Sequence, residues 1–299
     1  MIRKKIFTAL VFLLGISGLL QAQNPNLIAP EFGVTYDASS ANPNPPSRGR
    51  ALNLGREALQ SRWETDKEIE GAWVSVKWEK TQTVKELWLI TKSWGYDMTL
   101  EPAAERGNYM VPQKIQITCS DGTQTDTELR NAEYFQLITF PKEVQTSSIK
   151  FTVKKVWPNS GVDRTGLCKL RVFAQEHATG FTLSTYEMFD VQNDQAVQSA
   201  KIEIVNRGSD VKNATLELTN AGKKFGTVKL DDIPANSVVT QEIWIPAAYV
   251  ESNLVCKIKD PGNHFPKAEN FILKPYNKSY FNGGQLDIIA TNHIDLGWL

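Results

Sequence analysis

Residues 72–78, AWVSVKW, decide the fold class, because apolar and polar side chains alternate along the stretch. Successive side chains of a β-strand point to opposite faces, so this alternation is typical of a strand with one buried face. The same pattern recurs in residues 83–91, 114–119, 135–140, 148–157 and 166–174. Gly, Pro, Asn and Asp separate the runs. The sequence therefore predicts a mainly β protein whose first domain, residues 27–176, is a β-sandwich.

Four stretches of this domain, in order, resemble the discoidin domain (coagulation factor 5/8 type C), the fold of carbohydrate-binding module family 32. They are SRW at 61–63, WVSV at 73–76 with VKEL at 84–87, KIQI at 114–117 with the Asp121-Gly122 turn, and FTV at 151–153 with LRVF at 170–173. The resemblance covers about 140 residues. It implies a discoidin-like β-sandwich (jelly roll) that binds carbohydrate through loops at one end.

Sugar binding of this kind uses an aromatic ring that stacks on a pyranose and polar side chains that hold its hydroxyls. The aromatic residues in loop-like sequence, which are the candidates, are Trp94, Tyr96, Tyr109 and Trp157. Alternatively, the segment from Trp94 to Tyr109 does not bind sugar and packs instead against a catalytic domain, whose start is predicted below at residues 285–299. The family often places an Asp-Gly pair before the Arg-Trp segment in a loop linked to Ca²⁺. Residues 54–60, LGREALQ, lack that Asp, which argues against calcium.

A second set of alternating runs begins after residue 179 and ends near residue 274. The runs are residues 200–205, 214–218, 225–230, 237–245 and 254–258. Turn residues separate them at spacings near ten residues, which predicts an immunoglobulin-like β-sandwich over residues 179–274. Residues 233–237, IPANS, resemble bacterial Ig-like spacer modules that lie beside glycosidases. No residue pattern in this domain points to chemistry, so we interpret it as a spacer.

The last residues, LDIIATNHIDLGWL at 286–299, contain an apolar run that predicts a buried strand. His293 and Asp295 follow the run at positions i and i+2, so an extended backbone directs both side chains to one face. An imidazole and a carboxylate that point to one place are suitable ligands for Zn²⁺. Trp298 offers a flat apolar face on which a sugar can stack.

Residues 292–298, NHIDLGW, resemble the opening motif of glycoside hydrolase family 38, the retaining α-mannosidases. The resemblance implies that residues 285–299 begin an α/β-barrel catalytic domain, with His293 and Asp295 as zinc ligands and Trp298 in the substrate subsite. In that family the nucleophile and the remaining zinc ligands lie well downstream. The chain as given is therefore expected to be the truncated N-terminal portion of such an enzyme and inactive alone. Two alternatives remain open: a barrel that acts on another α-linked sugar, and a non-enzymatic secreted carbohydrate-binding or adhesion protein.

The N-terminus, residues 1–22, has the features of a secretory signal peptide. Arg3, Lys4 and Lys5 precede the apolar residues 6–20, and the small residue Ala22 ends the segment. This predicts export by a bacterium to the periplasm, the cell surface or the medium, with no membrane span after the signal is removed.

The charge balance bears on the class of binding partner. Lys and Arg together number 33, and so do Asp and Glu; the chain therefore carries no net positive charge that would indicate a nucleic-acid partner. We expect a glycan instead, and a mannose-containing one from the resemblance to the mannosidases.

The three cysteines, Cys119, Cys168 and Cys256, either include a Cys119–Cys168 disulfide or are buried thiols. The alternating apolar and polar residues around them favour thiols.

Overall fold

The computed structural model of the chain describes residues 24–42, 54, 62–92, 109–248 and 250–274. Over these ranges the paired strands run antiparallel, and a single 3-10 turn covers Pro30–Phe32. Within them there is no helix with the length and apolar character needed to cross a membrane. The predicted mainly β class is therefore confirmed. The predicted first strand of a barrel, residues 285–299, and the predicted signal peptide, residues 1–22, lie outside the described residues.

The first domain is built on two long strands, β3 and β6. Its strands are β1 (Thr35–Ala38), β2 (Trp63–Glu64), β3 (Trp73–Ile90), β4 (Pro112–Cys119), β5 (Gln124–Glu128), β6 (Phe135–Val156), β7 (Gly166–Leu167) and β8 (Lys169–Phe173). The register between β3 and β6 shifts between Lys77 and Gln82 and again between Val84 and Glu86. Register shifts bend strands. Apolar side chains from both halves of each strand therefore reach one core.

That core contains the residues that the alternation places on inward faces. Its largest fully buried members are Trp63, Phe140, Phe151, Leu54, Leu87, Leu89, Ile115, Ile117, Ile149, Leu167 and Leu170. Burial of each aliphatic side chain contributes roughly 1.5 to 3 kcal/mol. Trp63 and Trp78 are the aromatic anchors, since their indole N–H groups donate to the backbone oxygens of Ser40 at 2.9 Å and Leu27 at 2.6 Å.

The second domain is a sandwich of two sheets. Its strands are β9 (Gly180–Gln192), β10 (Gln195–Asn206), β11 (Thr215–Asn220), β12 (Lys223–Lys229), β13 (Ser237–Pro246), β14 (Ser252–Lys259) and β15 (Glu269–Leu273). One layer has the order β13-β10-β9 and the other the order β12-β11-β14-β15. Ile202 of β10 and Leu216 of β11 are fully buried in the core between the layers. This packing is the sandwich that the second set of alternating runs predicts.

Several strands differ from the pattern-based boundaries. The predicted runs 72–78 and 83–91 are one continuous strand, β3, and the runs 135–140 and 148–157 are one strand, β6. The pairing of β3 with β6 resumes after a register shift, with Gln82 opposite Thr146, so both strands continue through the polar residues between the runs. The alternating pattern does not predict strands β1, β2, β5, β9 and β15. β5, with the sequence QTDTE, has no apolar side chain that could produce an alternating pattern.

The two domains share a β-sheet at their junction. Strand β13 pairs with β6 through Ser237 with Gln136 and Val238 with Phe135, so one nine-stranded sheet extends across both domains. A third apolar cluster fills the junction. It contains Trp88, Ile90, Phe135, Cys168, Phe173, Val205 and Val238. Because backbone pairing and apolar contacts both cross the junction, the domains form a continuous structure rather than two modules on a flexible linker.

A buried carboxylate, that of Glu86, holds the same junction together. Its side chain is completely buried and accepts hydrogen bonds from the indole of Trp88, the backbone N–H of His177 at 3.1 Å and the guanidinium of Arg207. The imidazole Nδ1 of His177 lies 3.2 Å from it. Burial alone would raise the pKa of Glu86. The hydrogen bonds of His177 and Trp88 and the charge of Arg207 outweigh burial and lower the pKa below its ordinary value.

The chain enters the second domain at the junction and leaves it at the opposite end. Asn206 of β10 pairs with Ser237 near the first domain, whereas Val197 pairs with Pro246 at the far end. Strand β15 ends at Leu273, which pairs with Ser252. Ser252 follows Pro246 closely in the chain, so the exit point lies away from the junction.

Candidate functional site

The connecting segments of the first domain converge at one end of its sandwich. The segments are residues 65–72, 109–111, 129–134 and 157–165. Backbone hydrogen bonds join them: Trp157 N–H donates to Val111 at 2.8 Å, and Thr165 N–H donates to Glu68 at 3.1 Å. This cluster, called the loop end below, is where a sandwich offers side chains that the sheets do not need for their core.

Trp157 is the exposed aromatic ring of the loop end. It is 37% exposed, although its indole N–H donates to the backbone oxygen of Leu129 at 3.4 Å. Its own backbone N–H is bonded to Val111. The backbone of Trp157 and its indole are thus each held by one hydrogen bond, and the ring still presents apolar surface to solvent. A ring held in this way loses little conformational freedom when a ligand stacks on it.

Polar side chains follow Trp157 on the same segment. Asn159, Ser160 and Asp163 are exposed, and the half-buried Arg164 lies 3.5 Å from the Asp163 carboxylate. Together they supply an amide, a hydroxyl, a carboxylate and a guanidinium, which can all hydrogen-bond to sugar hydroxyls. None of these four residues is among the candidates that the sequence predicts. Their signal was the Pro-Asn-Ser-Gly composition directly after a predicted strand that ends in tryptophan.

The segment is fixed below its exposed residues. Thr165 is fully buried and donates its hydroxyl to the backbone oxygen of Met110 at 2.6 Å. Gly161 has a φ of +79°, a conformation that side chains rarely adopt, and so permits the turn. Beyond Thr165, Gly166 of β7 lies against the backbone of Trp63, and a Cβ atom at Gly166 would lie 2.2 Å from the Trp63 carbonyl oxygen. Only glycine fits that approach.

Of the four predicted aromatic residues, Trp157 is exposed and Tyr109 is not. Tyr109 is 2% exposed, and its hydroxyl donates to the backbone oxygen of Thr91 at 2.7 Å. Its ring therefore supports the loop end from below and presents no face to a ligand. Trp94 and Tyr96 lie outside the described residues.

The Arg62-Trp63 segment, which carried part of the discoidin resemblance, is structural. Trp63 is fully buried, and the Arg62 guanidinium lies 2.8 Å from the buried carboxylate of Glu64. Asn42 donates to the same carboxylate at 3.3 Å, and its backbone N–H to the Glu64 carbonyl at 2.8 Å. These contacts hold residues 39–42 against the sandwich. Most of residues 54–60, on which the argument against calcium rests, lies outside the described residues.

The predicted zinc ligands His293 and Asp295, and the predicted subsite residue Trp298, also lie outside the described residues. In the part of the chain that is described, no three His, Cys, Asp or Glu side chains gather into a metal site. The other two histidines are engaged elsewhere. His177 pairs with Glu86, and His264 Nδ1 lies 2.7 Å from Asp260.

All three cysteines are buried thiols, as the alternating pattern around them favoured. Burial raises the pKa of Cys119 to about 11, with a further contribution from the charge of Asp121. Burial raises the pKa of Cys256 to about 12. Because the thiolate is the reactive form, neither of these two residues is a nucleophile at neutral pH.

No family model matches the sequence, and no curated protein does. Solved structures that resemble the chain include the family 32 carbohydrate-binding module of Clostridium perfringens NanJ in complex with galactose, at 17% identity over 48% of this chain and 96% of that one, with a TM-score of 0.37. The lectin domain of lectinolysin with Lewis B antigen is similar at 16% identity over 51% and 98%, with a TM-score of 0.36. The fucolectin of striped bass serum is similar at 10% identity over 74% and 88%, with a TM-score of 0.37. At these identities and scores, the similarities assign no ligand to this chain.

Proposed function

We propose that the first domain is a carbohydrate-binding module that binds glycans at the loop end. The observation that carries the proposal is the geometry of Trp157: its backbone N–H and its indole N–H each donate one hydrogen bond, and the residue is nevertheless 37% exposed. Buried tryptophans of this domain, such as Trp63, serve the core. Trp157 instead leaves part of its ring open to solvent, where a ligand can reach it.

The surroundings of Trp157 suit a sugar better than an apolar ligand. The CH face of a pyranose stacks on the indole, and Asn159 and Asp163 reach its hydroxyls. The ion pair with Arg164 orients the Asp163 carboxylate. Because opposite charges alternate on the segment, a neutral glycan fits it better than a strongly charged one. The second domain acts as the spacer that carries the module.

Replacement of Trp157 by alanine should weaken glycan binding at least tenfold, or roughly 1.4 kcal/mol, because the stacking face is lost. Trp157→Phe keeps a ring and should retain most of the affinity. The measurement is a glycan array on the intact chain, followed by affinity electrophoresis in gels that contain galactan or mannan.

Val191→Ala is the matched control, since Val191 is 69% exposed and belongs to the second domain. It should leave binding unchanged. Equal binding by the parent protein and the Trp157→Ala variant would contradict a glycan site at this residue.

We further propose that the complete protein is an exported, zinc-dependent retaining glycosidase of the α-mannosidase type. Residues 292–298 support this proposal through their resemblance to the family 38 motif, and residues 1–22 support export. His293 and Asp295 would hold Zn²⁺, since imidazole and carboxylate form a donor set that this ion accepts. Bound zinc would supply Lewis-acid contacts to sugar hydroxyls. Trp298 would form a wall of the subsite, and the glycan would contain mannose.

The complete protein should contain one zinc ion per chain, and the His293→Ala/Asp295→Ala double variant should lose it. Metal content is measured by mass spectrometry after dialysis. His264→Ala is the control, because His264 is engaged with Asp260 and should not affect the zinc content. Unchanged zinc in the double variant would exclude these ligands. Glycan binding without any zinc would favour a non-enzymatic secreted binding or adhesion protein.

A further inference from the structure

A groove of about 690 Å³ lies at the junction of the two domains, apart from the loop-end residue Trp157. Residues of β8 and residues 133–135 line one side, and residues of β9, β10 and β13 line the other. Ligand sites in proteins have volumes of roughly 300 to 1,000 Å³ and are frequent at domain interfaces. The groove has the size and the place of a binding site.

The floor of the groove is rigid. Arg171 of β8 lies with its guanidinium carbon 4.6 Å from the ring centre of Phe135, and it pairs with Glu203 of β10 at 2.8 Å. Phe135 pairs with Val238 in the sheet that crosses the junction. The ion pair and the sheet both connect the two domains. A ligand in the groove would therefore meet a surface that is already formed.

Each domain contributes one tyrosine to the groove, Tyr134 from the first and Tyr186 from the second. Tyr134 is held by Arg130, whose guanidinium lies 3.3 Å from the phenol oxygen and 3.0 Å from the backbone oxygen of Ala235. Tyr186 is 39% exposed. Its phenol is protonated at neutral pH and can donate a hydrogen bond, and burial first, then the charge of Glu242, raises its pKa further.

The charged side chains of the groove have both signs. Lys201 and Glu242 are partners across β10 and β13, and Lys169 contributes a second ammonium group. Asp231 is held in place because its backbone N–H donates to Gln241 at 3.0 Å. A polyanion would meet the carboxylates and a polycation would meet the ammonium groups. A neutral ligand rich in hydroxyl groups can hydrogen-bond to both.

We propose that this interdomain groove is a second carbohydrate site, for a neutral oligosaccharide that contacts Tyr134, Tyr186 and the mixed charges between them. The proposal rests on the proposed function in taking a glycan as the ligand. It depends on Tyr134 and Tyr186 rather than on Trp157, which does not line the groove. A groove of about 690 Å³ has room for more than one sugar unit, so the expected ligand is an oligosaccharide.

The test uses the intact chain and its Trp157→Ala variant, with neutral tri- to hexasaccharides of mannose, galactose and glucose as probes and trigalacturonate as the charged comparison. Binding is measured by isothermal titration calorimetry. The Trp157→Ala variant should still bind a neutral oligosaccharide. Addition of Tyr186→Ala should weaken that binding roughly tenfold. Tyr134→Ala should do the same from the other domain.

Met188→Ala is the matched control, since Met188 is exposed on the same strand, β9, and does not line the groove. It should have no effect on binding, and all variants should keep the thermal midpoint of the parent within a few degrees. Complete loss of oligosaccharide binding in Trp157→Ala would overturn the groove site and leave the loop end supported. Equal effects of Tyr186→Ala and Met188→Ala, or preference for trigalacturonate, would also overturn it. Loss of binding in Tyr186→Ala but not in Trp157→Ala would support the groove and contradict the loop end.

Discussion

The Arg207→Ala variant should be less stable than the parent protein by about 3 to 5 kcal/mol, because it leaves the carboxylate of Glu86 buried without its cationic partner. Glu86 is completely buried, and Arg207 also pairs with Glu176 at 3.0 Å. Arg207 belongs to the second domain and Glu86 to the first, so the loss weakens the junction. Urea unfolding at neutral pH measures the difference in the free energy of unfolding.

Two further variants separate this effect from the loss of any surface charge. The exposed Lys259 and the partly exposed Glu217 form a pair at 3.0 Å, and Lys259→Ala should change stability by about 1 kcal/mol or less. Glu86→Gln removes the buried charge. In the Arg207→Ala background it should therefore recover part of the lost stability. If Arg207→Ala unfolds like Lys259→Ala, the buried pair does not stabilise the junction.

The buried carboxylate of Glu86 should also make the stability of the protein depend on pH. The pKa of Glu86 is lower in the folded protein than its ordinary value, so its ionised form stabilises the fold above the unfolded pKa. This contribution is lost as the pH falls through the folded pKa. The stability advantage of the parent protein over Glu86→Gln should therefore shrink on acidification. Urea unfolding of both proteins over the acidic range measures that difference.

The Gly166→Ala variant should lose about 3 kcal/mol or more, because the new Cβ atom would lie 2.2 Å from the carbonyl oxygen of Trp63. The obstacle is backbone, so β7 has to move away from β2. Trp63 and Leu167, which pair across these strands, are both fully buried. A loss of this size lowers the thermal midpoint by roughly 6 to 12 °C in a domain of this size.

Gly180→Ala provides the control, since no atom lies within 4 Å of a Cβ atom at that position. It should melt within about 2 °C of the parent protein. The displaced β7 adjoins residues 157–165, so Gly166→Ala should also weaken glycan binding at the loop end. A Gly166→Ala protein with the parent's thermal midpoint would show that β2 and β7 separate easily.

The sequence predicted the strands whose inward faces are apolar and missed those without such faces. Residues 72–78 alternate because Val74 and Val76 enter the core, and the pattern alone indicated the strand. β5 is a polar strand held by backbone pairing with β4, which leaves no mark in hydrophobicity. The continuity of β3 and β6 was also hidden. It depends on pairing between residues far apart in the chain.

The candidate site was predictable to a similar extent. Trp157 could be found because it ends a strand and begins a polar loop. Tyr109 has the same kind of sequence surroundings, but its hydroxyl reaches a backbone oxygen in the interior, and only the fold shows this. No local sequence pattern indicates the groove at the junction. Tyr134 and Tyr186 are more than fifty residues apart in the chain and line the same groove because β13 pairs with β6.

The chain enters the second domain at the junction and leaves it at the far end, so the domain is a spacer of fixed length. Strand β13 has ten residues, so it sets a separation of roughly 30 Å between the junction and the far end, where Leu273 leaves the sheet. Because the sheet is continuous across the junction, both the length and the direction of this separation are fixed. A polysaccharide bound by the first domain would thus lie at a set distance from the residues after Leu273.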